Sequence, residues 1–571
     1  MSLLPFLAVT FGGAAAALIA RNSPRLALAI GLLGLAGATI AALAIVPGDR
    51  LAIGPGRLEV TEFGRLFLAL GCSTGTIVAI VGLSTAWQRE LPAALLGGFG
   101  ALGLALSIGD PIVALVAILA GSLVGSLVTL VRPSSPRNVQ VATREFRAIA
   151  VAGALALVGM AWIARPLGPL AEEPTVFGLA YLAVALAAAI RFGAIPFHRW
   201  AARLADSAPE IALPLLLAWA PAGFAVVALA WMDRSIAPLL LPLEVERATV
   251  LAIGVASIVL GAAAAWLQDD VEHVVGYSIV QDAGFVILGL AILDPVAWQP
   301  TRTWILVFVV AKTAFAAWAI AVRTRFGTRR IADLSGWARR SPGLAVALVV
   351  VAVATLGLPG LVAWQVRARL VELSVVDGPL RIAATLGGLA ALAYYGRMLL
   401  VGLRQPSDLI AAAPSERPRR PGDSVAAPVE PTLTAGVGEP GPSPVYPAIP
   451  AAVAGLESRA IAHWTQNRAP IASAAVLVLA LTALAVAAGA LGGPAAAAAP
   501  APEPVAPSET FVPGQTEPPS PSPGEGSSPA PGESVGPGQT AGPSVSPVPG
   551  ESSTPGASGG PSFVPIPTPS P

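Results

Sequence analysis

Runs of roughly twenty mostly apolar residues, the length that crosses the hydrocarbon core of a bilayer, recur about fourteen times in this chain. They fall near 3–20, 25–46, 66–87, 91–108, 111–131, 146–164, 175–195, 210–231, 248–267, 274–293, 302–321, 341–362, 380–402 and 470–492. Repetition on that scale constrains the fold more than any motif: it predicts an all-α, polytopic membrane protein of about fourteen helices. A chain that is 55% hydrophobic and 12% charged cannot hide its apolar surface in one water-soluble core. Only Gly109-Asp110-Pro111 divides the fourth run from the fifth. The first run has no cation before it, and Arg21 and Arg25 follow it, so it reads as an anchor that starts outside rather than as a cleaved signal peptide.

Arginine collects in two places. Arg132, Arg137, Arg144 and Arg147 lie between spans five and six, and Arg323, Arg325, Arg329, Arg330, Arg339 and Arg340 between spans eleven and twelve. Both loops are expected on the cytoplasmic side, and the six spans between them make the two placements agree. Both termini then lie outside the cytoplasm, in the multi-pass pattern of a bacterial inner-membrane protein. The loop carrying Glu172 and Glu173, on the other side, is poorer in cations. The acidic turn Asp269-Asp270-Val271-Glu272 falls inside, where acids contribute little to the rule.

The chain divides into a transmembrane domain of thirteen helices over residues 1–402, a linker over 403–469, a final helix over 470–492, and a tail over 493–571. The linker is rich in Pro, Arg and Ala, with a short helix expected from Ala451 to Gln466; the tail is Pro, Ser and Gly with neither Lys nor Arg. Such a composition cannot bury enough apolar surface to order itself, so the tail reads as a disordered extracytoplasmic spacer. A net charge of +1 and no basic, aromatic-rich patch give no reason to expect nucleic acid as a partner. With Cys72 as its only cysteine, the chain has no internal disulfide, cysteine-rich zinc site or iron–sulfur cluster. His198, His273 and His463 are too scattered to suggest a metal, and no Gly-rich dinucleotide fingerprint follows a strand. No cofactor is expected.

Lys312 is the only lysine, and it sits mid-helix in Val309-Val310-Ala311-Lys312-Thr313-Ala314-Phe315. An amine at bilayer depth is costly and marks an ion or proton path by default; the bland alternative is a structural ion pair, for which Asp282 is the natural partner. Two runs are interrupted. Span seven carries Arg191 and then Pro196-Phe197-His198-Arg199-Trp200, and span twelve contains Gly357-Leu358-Pro359-Gly360 with Arg367 soon after. Pro196 and Pro359 are expected to break these helices, because proline lacks a donor and clashes with the preceding turn. A membrane tolerates the freed carbonyls only where protein or a water-filled cavity satisfies them, and paired broken helices point to a transporter built of two halves. Arg191 can either serve an ion path or snorkel to the interface. Arg367 lies near a membrane edge, and His198 can relay protons or cap the break.

Pro196-Phe197-His198-x-Trp200 followed by Asp206-Ser207-Ala208-Pro209 resembles the Pro-Phe-His-x-Trp…Glu-Gly-Ala-Pro signature of antiporter-like membrane subunits. These include subunit N of NADH–quinone oxidoreductase (respiratory complex I), its sister subunits M and L, and the Mrp-type cation/proton antiporters. Gln268 to Ser278, Ala311-Lys312-Thr313-Ala314-Phe315, Leu358-Pro359-Gly360 to Trp364 and Arg367, and Ala393-Tyr394-Tyr395-Gly396-Arg397 resemble further segments of the same family, in order. The likeness covers roughly residues 60–402. It implies inverted five-helix repeats forming two half-channels joined by a line of buried charges. Arg191 falls where the family has the helix-seven lysine, Lys312 at its central lysine, Arg367 at the charged residue of helix twelve, and Asp282 where a histidine is usual.

The departures are chemical. Span five has no acid where the family pairs a glutamate with helix seven, span eight has no lysine, and Glu272 replaces a cation. The first half-channel therefore reads as stripped of its titratable pair. Arginine keeps its proton under physiological conditions whereas buried lysine gives it up readily, so Lys312, Asp282 and His198 are left as carriers. The resemblance implies a proton-translocating subunit of an oxidoreductase complex, whose redox chemistry belongs to partner subunits. A non-conducting scaffold in such a complex and an Mrp-type antiporter subunit are the rival readings.

Overall fold

The computed structural model describes residues 2–53, 56–82, 91–126, 136–164, 174–204, 212–239, 241–374, 378–404 and 470–490, all within one compact unit, Met1–Ala499. The expected linker, its short helix, the tail, the loop with Glu172 and Glu173, and Asp206 to Pro209 lie outside these residues. The chain runs α1 (Leu3–Ile19), α2 (Pro24–Leu43), a hairpin of β1 (Arg50–Ile53) and β2 (Gly56–Glu59), α3 (Glu62–Gly82), α4 (Leu91–Ser107), α5 (Pro111–Ser126) and α6 (Pro136–Ala164). There follow α7 (Pro174–Arg191), α8 (Arg199–Leu204), α9 (Ala220–Ser235), α10 (Glu244–Leu267), α11 (Val271–Ile292) and α12 (Trp298–Phe326). The described chain closes with α13 (Trp337–Arg340), α14 (Pro342–Leu356), α15 (Val362–Ser374), α16 (Gly378–Leu389), α17 (Ala391–Leu403) and α18 (Pro470–Ala487).

Among the described residues, 11 helices are long and apolar enough to cross a membrane, and three shorter apolar ones, α4, α5 and α14, complete the expected set. The protein is a multi-pass membrane protein. The hairpin, antiparallel with Arg50 opposite Glu59, lies outside the apolar runs, as do the short helices α8 and α13 and nearly all of α15. At its other end the α4–α5 junction is held by Asp110, whose Oδ1 accepts from Ile112 N (2.8 Å) and Val113 N (3.1 Å) ahead of a proline in the first turn.

Helix α12 forms the centre: every residue of its apolar window is buried, against 28% for the windows of α1 and α2. Leu33 and Ile40 on α2 are 75% and 70% exposed, so that face belongs to lipid or to a neighbouring subunit. Around α12 the packing is close. On α10 and α11, Gly254 and Gly284 bring backbone against backbone; a Cβ on Gly284 would stand 2.7 Å from Gly254 O and 3.0 Å from Ile258 N. Neither partner atom can swing aside. Gly284→Leu is therefore expected to force α10 off α11 and destabilise the protein by about 3 kcal/mol or more, read as a loss of folded material after detergent extraction. A variant that extracts as wild type would show that the crossing yields.

Loops expected on the same side do meet. At one end, Val271 N donates to Arg329 O (3.0 Å), Ile331 N to Asp269 O (2.8 Å), Gly336 N to Val401 O (3.2 Å) and Arg397 Nη1 to Trp266 O (2.6 Å). Arg234 Nη1 donates to Gly109 O (2.6 Å), Arg247 Nε to Ala291 O (3.0 Å) and Trp298 Nε1 to Asp233 (2.7 Å) at the other.

Both expected interruptions exist, but proline does not end either helix. Helix α7 stops at Arg191 and α14 at Leu356, five and three residues before Pro196 and Pro359. Each stops on a glycine at positive φ, Gly193 (+61°) and Gly357 (+60°). A side chain there would be strained, and a Cβ would strike Ala201 Cβ at 2.5 Å or Trp364 N at 2.6 Å. The prolines lie in the connecting segments, three residues ahead of the next helices, α8 and α15.

Candidate functional site

Three of the residues singled out from the sequence converge in the second half of the bundle. Lys312 on α12 and Asp282 on α11 meet at 2.7 Å with side chains 0% and 2% exposed. At this separation the carboxylate faces the ammonium directly, as a close ion pair that also has hydrogen-bond character. Such a pair recovers little of its desolvation cost. It is weak as a stabilising device, which favours a reason other than stability for keeping it.

Arg367 is the third member, and its charge acts on both Asp282 and Lys312. It is 6% exposed, donates from Nη1 to Leu356 O (2.8 Å) and Thr355 O (3.2 Å), and stacks 4.4 Å from the Phe285 ring centre. A cation at the carbonyl end of α14 thus satisfies the backbone acceptors that the break exposes. Gly388 makes room for it, since a Cβ there would coincide with Nη2.

A polar chain extends from this cluster. Gln281 Nε2 donates to Gly387 O (2.9 Å), Tyr394 Oη donates to Gln281 Oε1 (3.0 Å), Tyr395 Oη and Thr355 Oγ1 share a hydrogen bond (3.3 Å), and Trp304 Nε1 donates to Asp282 O (3.0 Å). The tyrosine pair, which the sequence placed in a motif without a contact, thereby lies within electrostatic reach of Asp282.

Arg191 is separate from this cluster. Rather than snorkelling, it is 2% exposed and donates from Nη2 to Ser122 on α5 (3.1 Å). Its carboxylate partner comes from an element that the sequence reading treated as a cationic loop. Glu145 on α6, also 2% exposed, acts electrostatically on Arg191. The first half therefore keeps a carboxylate, moved from the fifth span to the sixth helix. The signal was present as a helical period: Val141, Ala142, Glu145, Ile149, Ala152 and Ala156 are all buried.

His198 takes part in neither cluster. It is half-buried in the connection after α7, its ring 6.2 Å from that of Tyr277. Where the resemblance implies a lysine on helix eight, the chain forms a π-helical turn, Leu215–Trp219, that directs Trp219 Nε1 onto Thr313 Oγ1 (3.0 Å) and packs its indole against Phe67 and Phe99. Glu272, read as a reversed charge, is compensated by Arg323 (2.8 Å) and Arg329 (3.5 Å). Among the described residues no cluster of His, Cys, Asp and Glu could hold a metal.

A polytopic helical bundle with two glycine-broken helices around buried, paired charges is the arrangement of an antiporter-like membrane subunit. Residues 111–390 match the transmembrane family described as NADH:quinone oxidoreductase/Mrp antiporter. Over these residues the chain is similar to that family, divergently so. It is 26% identical to NADH-quinone oxidoreductase subunit N of Sphingopyxis alaskensis over 64% of this chain and 79% of the relative. The subunit N of Hirschia baltica is 24% identical over 68% and 84%, and that of Halorhodospira halophila 29% over 40% and 46%. In fold it is similar to a chain of respiratory complex I from Thermus thermophilus, with a TM-score of 0.60 and 21% identity over 86% of this chain and 99% of that one. A chain of the Mrp complex from Dietzia sp. aligns with a TM-score of 0.58 and 19% identity, over 70% of this chain and 46% of that one.

Proposed function

We propose that this protein is the proton-translocating, antiporter-like membrane subunit of an NADH–quinone oxidoreductase-like complex, working with other membrane and peripheral subunits that carry the redox chemistry. The observation that carries this reading is the Lys312–Asp282 pair, buried mid-helix and within electrostatic reach of Arg367 and Tyr394. A lysine can trade its proton with water when the pair parts; a conformational or electrostatic change in the partner subunits is the trigger. The arginine-rich end faces the cytoplasm in this reading, with both termini on the other side of a bacterial inner membrane. Residues 1–402 form the antiporter-like domain and 470–492 the final span, joined by the 403–469 linker, with 493–571 as an extracytoplasmic tail.

A scaffold without conduction is the second reading, and one observation favours it. Arg191 retains its proton, and the aromatic wall of Phe67, Phe99 and Trp219 stands where a relaying lysine is implied. Lys312→Ala in the assembled complex, reconstituted into vesicles with a pH-sensitive dye, separates the two. Proton flux is expected to fall at least tenfold; unchanged flux would leave only the scaffold.

A further inference from the structure

A cleft of about 110 Å³ lies between α15, α16 and the side of α11, lined by Phe285, Trp364, Arg367, Val371, Arg381 and Thr385. Among the described residues, its charged lining groups are two arginines, Arg367 and Arg381. Arg367 commits one nitrogen, Nη1, to the α14 carbonyls. Its Nε and Nη2 make no hydrogen bond among the described residues, although the guanidinium is nearly buried. Arg381 stands exposed at the rim, near the end of the bundle opposite the arginine-rich loops. Beside the cleft, on the same helix as Arg381, Ile382 and Leu386 are 60% and 59% exposed. A doubly cationic recess, flanked by an apolar track on the bundle surface, has the two chemistries of an amphiphile with an anionic head.

We propose that this cleft binds the phosphate of an anionic phospholipid, held by Arg381 and the free edge of Arg367, with an acyl chain along Ile382 and Leu386. Guanidinium is the natural donor for a phosphate, because its fork matches two oxygens at once. The apolar track distinguishes a lipid from free phosphate, which has nothing to place there. The site also reaches the centre of the protein: Arg367 acts on Asp282 and Lys312, so a bound phosphate draws part of that cation's field away from the buried pair. Recognition does not depend on proton transport and is measured without it.

The test follows the thermal unfolding midpoint of the full-length chain in a neutral detergent. It is titrated with phosphatidylglycerol, with phosphatidylcholine of the same acyl chains, and with inorganic phosphate. Phosphatidylglycerol is expected to raise the midpoint saturably and phosphatidylcholine to leave it unmoved. Arg381→Gln should weaken the apparent affinity for phosphatidylglycerol roughly fivefold, as loss of one cation at a membrane surface does, and Arg381→Glu further. Inorganic phosphate that reproduces the shift would overturn the lipid assignment in favour of a small anion. A wild-type chain indifferent to headgroup charge, or Arg381 variants that bind as wild type, would overturn the site and assign the cleft to a neighbouring subunit.

Discussion

Lys312→Arg is expected to abolish proton flux, by at least tenfold in reconstituted vesicles of the assembled complex, while leaving the chain folded and assembled. Both side chains carry one positive charge, and the facing carboxylate of Asp282, 2.7 Å from Nζ, accepts either. A structural ion pair therefore survives the exchange with a modest packing cost. Guanidinium, however, holds its proton under all physiological conditions, whereas an ammonium can release one. Only a role that requires releasing the proton distinguishes the two residues. The variant thus separates carrier from scaffold more sharply than alanine, which removes charge and volume together. Flux close to wild type in Lys312→Arg, with assembly intact, would end the proton-carrier reading for this residue.

Asp282→Ala is expected to be the most destabilising substitution in the polar core, costing about 3–5 kcal/mol, because it leaves an ammonium with 0% exposure and no counter-charge in contact. The Arg367 guanidinium nearby worsens the imbalance, since its charge also faces that carboxylate. Removing both members, Asp282→Leu with Lys312→Met, is expected to recover most of the loss, since an apolar pair of similar volume carries no desolvation cost. Denaturant titration of the detergent-solubilised single and double variants measures the difference. A single variant within about 1 kcal/mol of wild type would mean that water reaches the pair and that it stands open in the membrane.

Much of this architecture was legible along the chain. The apolar runs forecast the long apolar helices closely, though not the short α8, α13 and α15, because hydropathy is summed locally and a bilayer sets one length for every span. Both interruptions were legible for a related reason: Gly193 to Pro196 and Gly357 to Pro359 are local breakers. Their division of labour was not. Proline draws attention as a helix breaker, yet the helices end on the glycines, where a positive φ and a close neighbour, Ala201 or Trp364, exclude any side chain. That neighbour is known only after folding.

The charges divide in the same way. Lys312 announced itself, and Asp282 was its natural partner because both lie in long apolar runs. Glu145 was hidden by Arg144 and Arg147, which made its surroundings read as a cytoplasmic loop. Extending α6 back to Pro136 turns those arginines outward and the acid inward. The fifth span lacks an acid, and the carboxylate that acts on Arg191 comes instead from the next helix, as Glu145.

What the sequence determined by itself was the class of molecule: how many times it crosses, which loops share a side, and where its helices fail, all properties of contiguous residues. Only the tertiary structure decided which charges face one another. Arg191 with Ser122, Gln281 with Tyr394 and Lys312 with Asp282 are joined across different helices. The rotation of each helix about its axis, which turns a side chain toward a partner or toward lipid, is set by packing against neighbours and by no local pattern.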